Sequence, residues 1–257
     1  MYLKIIILVS VIIFLVFISS KKIENFTNKN YRVALCISGA IRNNEIFCSN
    51  IIEKIVKPYN PDIFICAYDG NNPSESKYLY DTLKPVTMMV NNKKPQKIEN
   101  KDFLKNSVSM FEKIYLCNEL KKQHENKYNF KYDVVIRIRP DLVINSDFKI
   151  DFENINDYFY SPIHMLPKFT TDQLFYGSSD TIDKVVNLYK DLENQSDKCV
   201  WPEIILKNYL EKKNIKVKFF KLKHYIIDYV IYNKDTLKYY KKFLSKYRDT
   251  SIACFNY

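Results

Sequence analysis

Between Tyr132 and Ile144 an apolar, β-branched run carries Arg137 and Arg139 and ends at Pro140-Asp141. Alternation along a strand puts Arg137, Arg139 and Asp141 on one face. Two guanidinium groups buried beside one carboxylate leave positive charge that an anion should balance, and a diphosphate would do so. The competing reading is an internal ion network with Asp133, Asp147 or Asp151. Pro140 has no amide hydrogen for a ladder, so pairing should stop there, leaving Asp141 where the strand leaves the sheet. Open α/β sheets bind ligands at that end of their strands.

Two further segments offer complementary chemistry. Ser38-Gly39-Ala40-Ile41-Arg42-Asn43 follows a short apolar run; backbone amides near Gly39 and the Arg42 guanidinium could meet a phosphate, although an ordinary α/β turn reads the same way. Asp69 ends a second such run and is open to helix capping, turn formation or ligand contact. Thr170-Thr171-Asp172-Gln173 could supply a general base and an amide contact to a hydroxyl-bearing acceptor, or simply a capped turn. A hydrolase triad finds no support, because Gly-x-Ser-x-Gly is absent and His124, His164 and His224 lack zinc-protease spacing.

These residues need strand ends to hold them, and the hydrophobic pattern supplies strands. Residues 31–39 read as a buried strand, about 45–56 as a helix broken by Pro58 and Pro61, and 62–70 as a second strand, giving β-α-β. A short strand fits 86–90. From Asp102, an N-cap candidate, Leu104, Val108, Phe111 and Tyr115 recur at helical spacing beside Met110, Ile114 and Cys117, and this helix should end near Asn129. A right-handed return then makes the arginine-bearing strand parallel to the earlier two. Further strands are expected at 158–162, after Gln173 and at 217–222, with helices capped by Asp180 and begun by Pro202, and a basic, Tyr-rich helix at the end.

At 257 residues the chain is long enough for one sizeable domain. Its net charge of +11 would suit a phosphate-bearing partner, but the lysines are scattered rather than gathered in one block, which argues against nucleic acid. Six cysteines show no Cys-x-x-Cys spacing, and Cys36 and Cys66 lie in apolar strand-like runs, as buried thiols do. Cys199 and Cys254 could pair.

Residues 1–20 read as a transmembrane anchor, 21–30 as a polar stem and 31–257 as the catalytic-type domain. Ile5 to Ile18 is apolar apart from Ser10, and the sixteen residues between Lys4 and Lys21 would span ~24 Å as a helix. Tyr2, Leu3 and a snorkelling Lys4 help it reach across a ~30 Å hydrocarbon core. An uncleaved anchor is favoured over a signal peptide because the small-residue cleavage pattern is poor. Lys21, Lys22, Lys29 and Arg32 follow the span, so charge counting alone would put the body on the cytoplasmic side. Asn25-Phe26-Thr27 and Asn194-Gln195-Ser196 would be glycosylation sites on a lumenal body.

Taken together, Arg32 to Asn43, Asp62 to Asp69, Ser109 through Lys122, Phe130 to Leu142, Asp172 to Ser178 and Pro202-Glu203 resemble glycosyltransferase-like proteins of giant DNA viruses and some bacteria. The resemblance implies a GT-A-like α/β fold, a mixed, mostly parallel sheet flanked by helices, preceded here by the transmembrane helix. It implies transfer of a sugar from a nucleotide diphosphate sugar to a glycan or protein hydroxyl, in a host endomembrane or a virion-associated setting. Ser38, Gly39, Arg42, Asp69, Arg137 and Gln173 would bind the donor, and Asp172, Arg139 and Asp141 would be catalytic. Transferases of this kind use Asp-x-Asp to hold a divalent metal; Arg139-Pro140-Asp141 offers one carboxylate. Either Asp141 binds Mn²⁺ or Mg²⁺ with water and His224 or Asp69, or Arg139 neutralises phosphate directly. The alternative is a catalytically silent relative that keeps the fold as a glycan-binding or interaction module.

Overall fold

The computed structural model describes residues 31–92, 105–163, 170–194 and 201–226, and the folded body begins at Val33. The anchor, the stem, Asn25, Asp102, Cys199, Cys254 and the basic tail lie outside the described residues. No helix among the described residues is long and apolar enough to cross a membrane.

Seven strands form one sheet in the spatial order β3-β2-β1-β4-β7-β6-β8. They are β1 (Val33–Ala40), β2 (Asp62–Tyr68), β3 (Thr87–Val90), β4 (Val134–Ile138), β6 (Phe159–Pro162), β7 (Leu174–Gly177) and β8 (Val217–Phe220). Two short strands, β5 (Leu142–Ile144) and β9 (His224–Ile226), pair separately and antiparallel. In the large sheet every strand except β7 runs the same way: β1 is parallel to β2 and β4, β2 to β3, and β6 to β8, whereas β7 is antiparallel to both β4 and β6. The expected fold class, a mixed and mostly parallel sheet with helices against it, is what forms.

Among the described residues the α-helices of eight residues or more are α1 (Asn44–Ile51), α2 (Pro73–Leu83), α3 (Lys105–Tyr128), α4 (Ser179–Val186) and α5 (Pro202–Lys212). β1, β2 and β4 are apolar almost throughout because both faces of a parallel sheet are covered. On one face Val108, Phe111, Ile114, Cys117 and Leu120 of α3 pack against Cys36, Phe64 and Val135, together with Ile182 and Val185 of α4 and Ile204 to Leu206 of α5. Each such side chain contributes about 1.5–3 kcal/mol by leaving water. The long crossover through α3 returns the chain to the far side of β1, so β4 lies beside β1 rather than beyond β3.

Some boundaries differ from the sequence reading for local reasons. Pro58 does not break the first helix; α1 continues through a wider turn at Ile52–Val56 to Tyr59 and stops at Asn60, whose φ of 42° is left-handed. Asp180 is not the cap of α4. Ser178 is, with its hydroxyl accepting from the Thr181 amide, while Asp180 sits in the first turn. Cys36 and Cys66 are buried free thiols, as expected, and so are Cys48 and Cys117.

Between α3 and α4 lies a buried polar knot the sequence did not reveal. Lys121 is fully buried, with Nζ bonded to the Ser179 hydroxyl, 3.1 Å from Glu125 Oε2 and 2.9 Å from Asp183 Oδ1. Burial works against the Asp183 carboxylate, but hydrogen bonds from Lys121 and Asn118 outweigh it and hold its pKa below the usual range. Glu125 Oε1 also accepts from the Ser179 hydroxyl and from the Tyr132 amide, which offsets part of the cost of burying the charge.

Candidate functional site

The strand order defines the site. From β1 the chain steps outward to β2 and β3, then crosses back to β4 on the other flank of β1, which makes β1/β4 the topological switch point. The crevice outside the carboxyl ends of two such strands is where open α/β sheets take ligands. Ser38 and Gly39 lie in the last pleat of β1 and Arg42 follows it, while Arg139, Pro140 and Asp141 follow β4. Gly39 has φ of 137°, and a Cβ there would stand 3.2 Å from Pro140 Cδ, so a glycine lets the two strand ends close on each other.

The reversal of β7 adds a third component. Because β7 is antiparallel to β4, its entry rather than its exit borders the crevice, and Thr170 to Gln173 arrive beside Arg139. The Arg139 amide donates to the Gln173 carbonyl at 3.0 Å, the Gln173 amide to the Thr171 hydroxyl, and the Thr171 amide to Ser161 Oγ. Thr170 Oγ1 donates to the carbonyl of Glu203 in the first turn of α5. Strand ends and a helix start thereby converge.

Arg137 sits within β4, opposite Cys36 of β1 and Phe175 of β7, and is 1% exposed. Its Nε donates to Ser38 Oγ at 3.1 Å and its Nη2 to the Ser38 carbonyl at 3.2 Å, while the Phe175 ring lies 5.8 Å from Cζ. Nη1 is sealed from solvent with no hydrogen-bond partner among the described residues. Burial pulls the guanidinium down to about 10, opposed by the neighbouring Asp172 carboxylate and reinforced by Arg139, so it stays charged at neutral pH.

Arg139 and Asp141 form a fork. Nε and Nη2 donate to the two carboxylate oxygens at 2.9 and 2.8 Å, and Arg42 Nη1 lies 3.7 Å from Oδ2. Asp141 is 1% exposed, whereas Arg42 is 46% exposed at the mouth. The ion network weighed against anion binding therefore exists in part, with Asp141 as its carboxylate, while Asp151 pairs with Lys218. Strand alternation does not make the fork, since β4 ends at Ile138 and a turn closed by Leu142 N to Arg139 O brings Asp141 back.

Asp172 is 3% exposed and makes no side-chain hydrogen bond among the described residues. Its charge bears on Arg137 and on Glu203, whose carboxyl is pushed up to about 7 by burial first and by Asp172 second, with Arg139 opposing. Glu203 Oε2 is sealed and unpartnered. Glu203 escaped notice as a site residue because an acid in a helix's first turn is ordinary.

Other expected residues are placed differently. Ser38 is fully buried and both its oxygens anchor Arg137, so its side chain supports the site from below. Asp69 works as a turn former: its carboxylate accepts from the Asn71 amide, Ser76 Oγ and Asn92 Nδ2. Burial would raise its pKa, but these donors hold it low. His224 pairs with Ile144 at the far end of the β5–β9 ladder, three residues from Asp141, or ~10 Å along a strand. Asp141 and His224 are not brought together as metal ligands, and both Asp141 oxygens are engaged by Arg139. No cluster of three or more His, Cys, Asp or Glu suited to a metal occurs among the described residues. The assigned residues do not fit a divalent ion. No family model matches the chain, and no curated protein matches it.

Proposed function

We propose that the chain is a glycosyltransferase acting on a nucleotide diphosphate sugar, with the diphosphate at the β1/β4 crevice and the acceptor hydroxyl beside Asp172. The observation that carries this reading is the Arg42–Arg137–Arg139 cluster at the topological switch point, in which the buried Nη1 of Arg137 has no partner among the described residues. A diphosphate supplies both charge and acceptor atoms to such donors. In the transfer the acceptor O–H bond breaks, its proton passes to the Asp172 carboxylate, and the oxygen bonds the anomeric carbon. The anomeric C–O bond to the diphosphate breaks, its electron pair stays on the diphosphate oxygen, and the arginines stabilise that charge. The segment at residues 1–20 would anchor the enzyme to a membrane.

The test is nucleotide release and sugar transfer across a panel of nucleotide sugars, with thermal shifts in UDP and GDP measured in parallel. Nucleotide-dependent stabilisation with turnover, both weakened in Asp141→Ala, supports the reading. Stabilisation without turnover favours the silent module; neither effect in the intact chain overturns donor binding.

A further inference from the structure

The two edges of the large sheet are built differently. β3 closes one edge with no charged residue from Pro85 to Asn92, whereas β8 closes the other inside a run of six lysines in the twelve residues from Lys212 to Lys223, with no acid among them. Lys212 is paired with Asp191 at 3.1 Å and Lys218 with Asp151 at 2.6 Å. Lys213, Lys216, Lys221 and Lys223 are exposed, and no ion pair to another described residue holds them. Two apolar side chains stand among these ammonium groups: Phe219 of β8, 41% exposed, and Ile163, 49% exposed, whose amide donates to the Phe220 carbonyl at 2.9 Å. Parallel pairing sets Ser161 of β6 beside Phe219, so Ile163 lies at the end of the same edge.

Lysines on an edge strand deter a further strand from pairing. That role does not account for this edge, because the run starts before β8 and Lys221 and Lys223 come after its last residue, Phe220. The other edge, where Val86, Met89 and Val90 are exposed, carries no such protection. Ammonium groups without carboxylate partners, set around exposed apolar side chains, fit a surface that is negative outside and apolar beneath. An anionic lipid bilayer has that layering: its headgroups attract lysines, at roughly a fivefold gain in binding for each one near the surface, and its acyl boundary takes up large apolar side chains. We propose that the β8 edge is a docking surface for an anionic bilayer, with Lys213, Lys216, Lys221 and Lys223 at the headgroups and Phe219 and Ile163 in the boundary beneath. β6 and β8 end on the side of the sheet where β1 and β4 end, so Lys221, Lys223 and Ile163 put the contact toward the crevice end of the body. The contact is separate from the anchor read at residues 1–20 and needs no transfer chemistry.

Because residues 1–20 read as an anchor, attachment to vesicles does not by itself report on this edge, and the experiment reads the edge directly. The full-length chain, parent and Phe219→Trp, is reconstituted into vesicles of phosphatidylcholine alone or with added phosphatidylserine, with and without brominated acyl chains, and tryptophan emission is recorded. Trp201 is the sole tryptophan of the parent, which therefore supplies the background. The expected result is that Phe219→Trp adds an emission component that brominated lipid quenches about twofold or more strongly when phosphatidylserine is present. Salt at roughly 1 M should relieve the quenching, and so should Lys216→Gln, Lys221→Gln and Lys223→Gln made together. Equal quenching in the two lipids, or none in either, overturns the proposal. So does quenching that survives both salt and the lysine changes, since an apolar contact then suffices. If RNA or heparin shifts the added emission in phosphatidylcholine vesicles while phosphatidylserine does not, the edge serves a soluble polyanion and the bilayer assignment fails. Sugar transfer enters none of these readouts, so failure of the transferase reading leaves this outcome intact.

Discussion

The guanidinium of Arg137 donates two hydrogen bonds to Ser38, one to its hydroxyl and one to its carbonyl, across 99 residues of sequence. An arginine in the middle of an apolar strand is thereby fixed, with its third nitrogen sealed from solvent and unpartnered among the described residues.

Replacing Ser38 by Ala removes the hydroxyl and leaves Nε buried without its acceptor. Unfolding in denaturant should show a loss of about 1–3 kcal/mol. Any UDP- or GDP-dependent rise in Tm should shrink as well, because the carbonyl bond alone no longer fixes the guanidinium plane.

Gly39→Ala tests the closeness of the two strand ends. A methyl group would meet Pro140 at 3.2 Å on a backbone with φ of 137°, costing about 1–3 kcal/mol in stability. The Arg139–Asp141 fork next to Pro140 should be displaced, which a crystal structure of the variant would show.

Stability should depend on pH through Glu203. Its carboxyl goes from 4.5 to about 7 on folding, so between these values the unfolded chain gives up a proton that the folded chain keeps. The contribution is full below 4.5, is lost as pH rises to about 7, and is level above. Glu203→Gln removes this loss. At pH above about 8 the variant should exceed the parent by up to about 3 kcal/mol, with no difference near pH 4, in denaturant titrations at the two extremes.

Lys121→Ala removes the buried cation shared by Glu125 and Asp183 and leaves them Lys131, 54% exposed and 3.9 and 3.1 Å away. Breaking a buried ion pair on one side typically costs ~3–5 kcal/mol, and thermal denaturation should register it at neutral pH. Nucleotide-dependent stabilisation should survive at temperatures where the variant is folded, since the knot lies between α3 and α4 rather than in the crevice.

The parallel core was legible because burial on both faces writes itself as unbroken apolar runs, and Pro140 marked the end of β4 correctly. Arg137 and Arg139 stood out for the complementary reason, charge where a strand should be apolar. What escaped was pairing between distant segments. Nothing local to Ser38 says that it braces Arg137, nothing in Pro202-Glu203 separates a half-buried acid with one sealed oxygen from an ordinary first-turn one, and Lys121 with Glu125 looks like any solvated helix pair four residues apart. The fork between Arg139 and Asp141 comes from a turn rather than from strand alternation, because β4 ends at Ile138, three residues before Asp141.

The Arg139 amide to Gln173 carbonyl bond is the rung next to the β4–β7 ladder at the mouth of the crevice. The basic wall leaving β4 and the acidic wall entering β7 are therefore joined by main chain, and the gap between them has a fixed gauge. Side-chain exchange can re-chemise the crevice without changing its width. A wider crevice would require unzipping the sheet from that rung inward, so accommodation of bulkier ligands has to come from segments that border the cleft elsewhere.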